Sequence, residues 1–159
     1  MSDQSQPNSE EEAEELRLRD EIKRLQGELK LLEDPETLFS FGQMSFDGDD
    51  TEQDYAAAAN WFKMAAEQGH ARAQHNLALM YENGEGVPKD YSEAAKWYRL
   101  AADQGLASSQ NNLGSLLETG DGVAQDYAAA LEWYRRAEQG GDPNARSNID
   151  RLTLLLGLE

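Results

Sequence analysis

From Pro35 onward, apolar residues return with a helical spacing, and the whole pattern returns every 36 residues. Asp54-Tyr55, Asp90-Tyr91 and Asp126-Tyr127 superpose under that shift, as do Ala58, Ala94 and Ala130. Trp61-Phe62, Trp97-Tyr98 and Trp133-Tyr134 follow, then Ala65, Ala101 and Ala137, and Gly69, Gly105 and Gly141 close each unit. In the other half of the unit Phe41, Leu77 and Leu113 align, and so do Gly42, Ala78 and Gly114. A fixed period of this length is the mark of stacked supersecondary units, each too small to bury its own apolar face. The units run over 35–70, 71–106 and 107–142.

Each unit reads as two helices. In the second, a helix is predicted over about 72–82, with Ala73, Leu77, Met80 and Tyr81 on one face. Asn83 to Lys89 breaks it, Gly84 supplying the left-handed residue beyond a helix end. Asp90 is then an N-cap for a second helix reaching about Asp103, with Ala94, Ala95, Tyr98, Ala101 and Ala102 inward. Small alanines let the helices approach, and the aromatics fill the remaining space; the recurring tryptophans are therefore read as packing, not as a stacking platform for bases. After the third unit Asp142-Pro143 is an N-cap followed by proline at the first helical position. The last helix, about 143–156, carries Ile149, Leu152, Leu155 and Leu156 and is expected to cap the array within 143–159.

Before the repeats, residues 1–9 are polar and are expected to be a disordered tail. Ser9 and Glu12 have capping-box spacing, and a helix is predicted to stop before Pro35, so residues 10–34 form an amphipathic, coiled-coil-like segment ahead of a repeat domain over 35–159. Leu18, Ile22, Leu25, Leu29 and Leu32 alternate steps of four and three, which makes a short helix-pairing seam. Glu15–Arg19 and Asp20–Arg24 are favourable i,i+4 pairs along it. Two readings fit the seam: packing on the repeats, or pairing with another chain as a homodimer or hetero-pair through residues 10–34. In a parallel homodimer Glu14 would meet Arg19, which helps, and Glu28 would meet Glu33, which hurts.

The order and spacing of Leu77-Ala78-Leu79-Met80-Tyr81, Gly84-Glu85-Gly86-Val87, Asp90, Ala94-Ala95, Trp97-Tyr98, Ala101-Ala102 and Gly105, repeated one period on, resembles the Sel1-like repeat, a relative of the tetratricopeptide repeat. The first unit departs from it: Asp50 stands at the second loop glycine and Ser45 at the aromatic position of Tyr81. The resemblance implies an all-α, right-handed α/α solenoid of three helix pairs, used as a scaffold or adaptor, with no catalytic residues and no cofactor. It also implies a concave face lined by the first helix of each unit.

By analogy with the tetratricopeptide pattern, the inward stripe is Glu36, Phe39, Gln43 and Phe46 in the first unit, and Arg72, His75, Leu79 and Glu82 in the second. In the third it is Ser108, Asn111, Ser115 and Glu118, and on the last helix Asn144, Ser147, Arg151 and Leu154. These positions differ between units while the packing positions recur, as a surface that reads one partner should. They are read either as a peptide site or as ordinary solvated positions. Phe39, Phe46, Leu79 and Leu154 favour the site, because apolar side chains on a solvated face need a reason; the alternative for Phe39 or Phe46 is burial under the N-terminal helix. Asn76, Asn112 and Asn148 share one position and either hold a peptide backbone or, the favoured reading, tie repeats together.

Charge narrows the partners. The chain has 31 acidic and 14 basic residues, a net charge of −17. Such a surface repels phosphate backbones and anionic lipid, so no nucleic-acid or membrane partner is expected; a protein or peptide that is neutral or basic fits, with binding that weakens in salt. There is no cysteine, hence no disulfide, thiolate chemistry or Cys-ligated zinc, and with no apolar run or secretory leader the chain is expected to be soluble and cytoplasmic. His70 and His75, the two histidines, are five apart and do not share a helical face, so neither a metal site nor a general base is expected. Asp47, Asp49, Asp50, Glu52 and Asp54 make an oxygen-rich loop, but Gly48 comes too early and Ala58 stands where an EF-hand closes with glutamate. An interaction scaffold is the leading reading, and assembly through the N-terminal helix is the alternative.

Overall fold

The computed structural model describes residues 9–48 and 53–158. Among them are eight helices and no strand: α1 (Ser9–Leu32), α2 (Pro35–Asp47), α3 (Tyr55–Glu67), α4 (Ala71–Asn83), α5 (Tyr91–Asp103), α6 (Ala107–Thr119), α7 (Tyr127–Gln139) and α8 (Ala145–Leu156). The pairs α2/α3, α4/α5 and α6/α7 stack in chain order, each second helix packing on the first helix of the next pair, and α8 packs on α7. No helix among the described residues is long and apolar enough to cross a membrane.

Local chemistry starts and stops these helices. The carboxylate of Asp54 accepts the Ala57 N–H at 2.9 Å, that of Asp126 the Ala129 N–H at 2.9 Å, and that of Asp90 the N–H groups of Ser92 and Glu93. Each satisfies donors that the first turn leaves open. At the start of α4 the cap is His70, whose Nδ1 accepts the Ala73 N–H at 3.1 Å. The expected cap at Asp142 is present, accepting from Asn144 and Ala145, but the helix begins at Ala145 because Pro143 and Asn144 form a turn ahead of it.

The core is made by rings set against small residues. Phe62, Tyr98 and Tyr134 are almost completely buried, and a Cβ placed on Gly42 or Gly114 would stand 2.5 Å from the Phe62 ring or 2.8 Å from the Tyr134 ring. Ala58, Ala94 and Ala130, fully buried, complete the close approach. Two apolar clusters result, one over the first two pairs and one over the last two, and Tyr81 and Trp97 touch both. The continuity makes each pair depend on its neighbours. Asp150 occupies the Gly42, Ala78, Gly114 position on α8, exposed and 3.2 Å from Arg146.

A polar strap ties successive pairs. Gln74 Nε2 donates to Ala66 O and Gln110 Nε2 to Ala102 O, both at 3.1 Å. Gln104 supplies a donor to Gln74 Oε1 at 2.8 Å. One period on, Gly140 replaces Gln104, and Gln110 Oε1 is left buried without a partner among the described residues.

Of the seam on α1, Leu18, Ile22 and Leu25 are 58%, 53% and 50% exposed, so they do not pack on the repeats. The side chains of Leu29 and Leu32 lie outside the described residues, as do residues 1–8 of the expected tail and 49–52 of the acidic loop. Arg19 pairs with Glu15 at 2.7 Å as expected, and Arg24 reaches Glu21 at 2.6 Å. At the junction Gln68 Nε2 donates to Glu33 O at 3.0 Å.

Candidate functional site

The first helices of the three pairs carry two adjoining hollows that share Asn76. The larger, about 250 Å³, is bounded by Phe39 and Gln43 on α2, Arg72, His75 and Asn76 on α4, and Leu106 and Ser108 at the start of α6. The smaller, about 120 Å³, is bounded by Phe46, Phe62, Asn76 and Leu79. Seven of the stripe residues read from the sequence therefore meet around these hollows: Phe39, Gln43, Phe46, Arg72, His75, Leu79 and Ser108.

Phe39 is not the exposed ring that the stripe suggested. It is 2% exposed and forms a floor, with the His70 ring stacked on it at 4.7 Å and the Arg72 guanidinium over it at 4.5 Å. His70 is held by two bonds: Nδ1 accepts from Ala73, and Nε2, which then carries the proton, donates to Glu36 at 2.9 Å.

His75 sits deeper. Its Nδ1 lies 2.8 Å from Ser109 Oγ, and its ring lies 5.6 Å from that of Tyr98. Burial lowers its pKa below 6.5, because the charged ring would lose its water. An unfolded chain takes up this proton near pH 6.5 and the folded one does so only lower, so stability present above pH 6.5 is lost as pH falls below it. The expected result is a melting temperature that drops between pH 7.5 and 5.5, with a smaller drop in His75→Asn, the residue found one repeat later. Equal pH dependence in both proteins would refute this origin.

Several of the remaining stripe residues are engaged inside the protein, while Leu154 is 69% exposed. Tyr98 donates its hydroxyl to Glu82 Oε2 at 2.6 Å, and Tyr134 donates to Glu118 Oε2 at 2.8 Å. Burial first, and the neighbouring carboxylate second, push both phenols well above their ordinary pKa. Ser115, near the Tyr134 hydroxyl, is exposed. Glu118 is gripped in addition by both terminal nitrogens of Arg151, Nη2 to Oε2 at 2.8 Å, and this holds its pKa below the usual carboxylate value. Asn111 Oδ1 accepts from Asn148 Nδ2 at 2.8 Å. Glu82, Asn111, Glu118 and Arg151 thus join helices to one another. Ser147 is exposed and borders neither hollow.

Two features escaped the stripe. Phe62 contributes a wall although it belongs to α3, and Asn76 stands between the hollows. Of the three equivalent asparagines, Asn112 lies beside the Tyr98 hydroxyl and Asn148 donates to Asn111, but Asn76 has no partner among the described residues. The signal was available in the period: Phe62 and Phe46 occupy the places of the hydrogen-bonded pairs Tyr98–Glu82 and Tyr134–Glu118.

Stacked helix pairs with a recurring packing pattern and a first-helix face that changes from pair to pair define an α/α solenoid repeat protein. The chain belongs to the Sel1 repeat family, which matches residues 38–70, 71–106 and 107–142. It is similar to a Sel1 repeat protein from Oxalobacter formigenes at 41% identity and a TM-score of 0.71, over 74% of this chain and 47% of that one. It is also similar to c5321, a protective antigen of uropathogenic Escherichia coli with an SLR fold, at 37% identity and a TM-score of 0.70, over 78% of this chain and 26% of that one. Cysteine rich protein B of Helicobacter pylori matches at 26% identity and a TM-score of 0.54, over 57% of this chain and 68% of that one. The chain spans under half the length of the first two relatives. No curated protein matches the sequence.

Proposed function

We propose that the protein is a non-catalytic scaffold that holds a segment of a partner protein against the face of its first helices. The observation that carries this reading is the pair of adjoining hollows on α2, α4 and α6, built from side chains that differ between repeats. Residues that only stack helices recur; residues that read a partner are free to differ. Sel1 repeat proteins are generally protein-interaction scaffolds, which supports the same reading. The net charge of −17 steers a partner that is neutral or basic overall, and association slows as salt screens the field. A photo-cross-linking residue at Gln43 or Ser108, in the full chain in its native cells, gives a discrete protein adduct; the same group at exposed Glu132 on α7 does not. Adducts only at position 132 would overturn the assignment of the face.

A second role is supported by the 50–58% exposure of Leu18, Ile22 and Leu25, namely assembly through α1. Sedimentation equilibrium should then give a mass above the monomer that Leu25→Lys reduces. A monomer at every concentration, together with unchanged partner capture by that variant, would remove this role.

A further inference from the structure

The smaller hollow differs in kind from the rest of the face, and comparison along the period explains why. In the second and third pairs the same place is filled by a buried phenol bonded to a carboxylate, Tyr98–Glu82 and Tyr134–Glu118. Each pair is self-satisfied and offers nothing to a ligand. In the first pair both members are phenylalanine. The hydroxyl is gone from Phe62 and the acceptor from Phe46, so the polar pair has become two apolar walls, with Leu79 as a third. Asn76 stands at the edge of the same hollow with no hydrogen-bond partner among the described residues. An amide that both donates and accepts matches a peptide unit.

Size and charge restrict the occupant. The hollow holds about 120 Å³, and a dry apolar cavity of roughly 150 Å³ accepts a benzene ring. A leucine, isoleucine, valine or methionine side chain fits, and an indole does not. Among the described residues no charged side chain borders this hollow. Among the described residues the larger hollow beyond Asn76 is bordered by one cation, Arg72, and by no carboxylate, within a chain of net charge −17.

We propose that the hollow walled by Phe46, Phe62 and Leu79 anchors one aliphatic side chain of a partner peptide, with Asn76 holding the backbone beside it and Arg72 facing a carboxylate further along. This rests on the scaffold reading and names the ligand chemistry of its face. The peptide is otherwise neutral or basic, so that the long-range field still favours its approach.

The test is selection of a displayed random peptide library on the full chain, followed by anisotropy titration of the enriched peptides. Enriched sequences share one aliphatic residue close to an aspartate or glutamate. Binding falls at least tenfold in F46E/F62Y, which transplants into the first pair the bonded residues that the other two pairs already carry and so closes the hollow. Leu79→Gln, which places there the residue found at position 43, gives the same loss with smaller disturbance of the core. Arg72→Gln weakens acidic peptides and leaves their amidated versions unchanged. Peptides that lose affinity on Ser108→Glu but not on F46E/F62Y or Leu79→Gln would keep the scaffold reading and overturn the anchor. Failure to enrich any peptide would overturn both.

Discussion

Gly122→Ala lowers the melting temperature by roughly 10 °C, against roughly 4 °C for Gly141→Ala. Both residues have positive φ, 69° and 84°, so both substitutions force an L side chain into the left-handed region. That alone costs about 1–2 kcal/mol. The difference is what the new Cβ meets. At Gly141 nothing lies within 4 Å, whereas at Gly122 it would stand 2.3 Å from the Tyr91 carbonyl carbon and 2.4 Å from Ser92 N. These are backbone atoms at the start of α5 and cannot swing aside. Ser92 Oγ also donates to Gly122 O at 3.0 Å, so the loop cannot retreat without losing that bond. Overpacking of this kind adds about 1–3 kcal/mol. Gly86 stands in the same relation to the start of α3, 2.0 Å from Tyr55 O, and Gly86→Ala should match Gly122→Ala. The crowding comes from the second helix of the preceding pair, which accounts for glycine at 86 and 122, where a pair precedes, but not at 50. Thermal melts of the three variants decide the matter; equal drops would show that contact between repeats contributes nothing.

Glu118→Ala destabilises the protein by about 2–4 kcal/mol, the other large effect. Glu118 is 9% exposed and is the acceptor for a fully buried phenol and for Arg151 of α8. Its removal strands the Tyr134 hydroxyl in the core. The Arg151 part is smaller, since that side chain is 54% exposed and water takes over. A double-mutant cycle with Tyr134→Phe should therefore recover about 1–2 kcal/mol, because the hydroxyl and its acceptor disappear together. The first pair, with Phe62 and Phe46, has already made that double change. The Arg151 bond lowers the Glu118 pKa below 4.5. Its contribution is thus complete above pH 4.5 and is lost as pH falls through the lowered value. Urea unfolding at pH 7 and pH 3.5 should show a smaller loss in Glu118→Gln than in the parent. An additive cycle would mean that the tyrosine and the carboxylate do not act as a pair.

Much of this architecture is readable without coordinates. A 36-residue period, N-cap aspartates at 54, 90 and 126, glycines just past the first helices and alanines at 58, 94 and 130 are local or periodic signals. Capping, breaking and face selection act within a few residues of the chain, so the sequence by itself determined the helices, the three pairs and the positions that pack. It also determined the stripe that faces the hollows, but not the state of each member. Phe39, read either as a partner contact or as buried under the N-terminal helix, is roofed by Arg72 and His70; Glu118 and Asn111, read as contacts for a partner, are committed to Arg151 and Asn148. Those bonds join residues 31 to 37 positions apart, and nothing local distinguishes a carboxylate that will meet an arginine from one that will meet water. The exposure of Leu18, Ile22 and Leu25 was open in the same way, since an amphipathic helix looks alike whether its partner is in the chain or outside it. Only the tertiary structure decided which polar groups satisfy one another across repeats, and therefore that Asn76 and the Phe46–Phe62 hollow are what the first pair leaves unsatisfied.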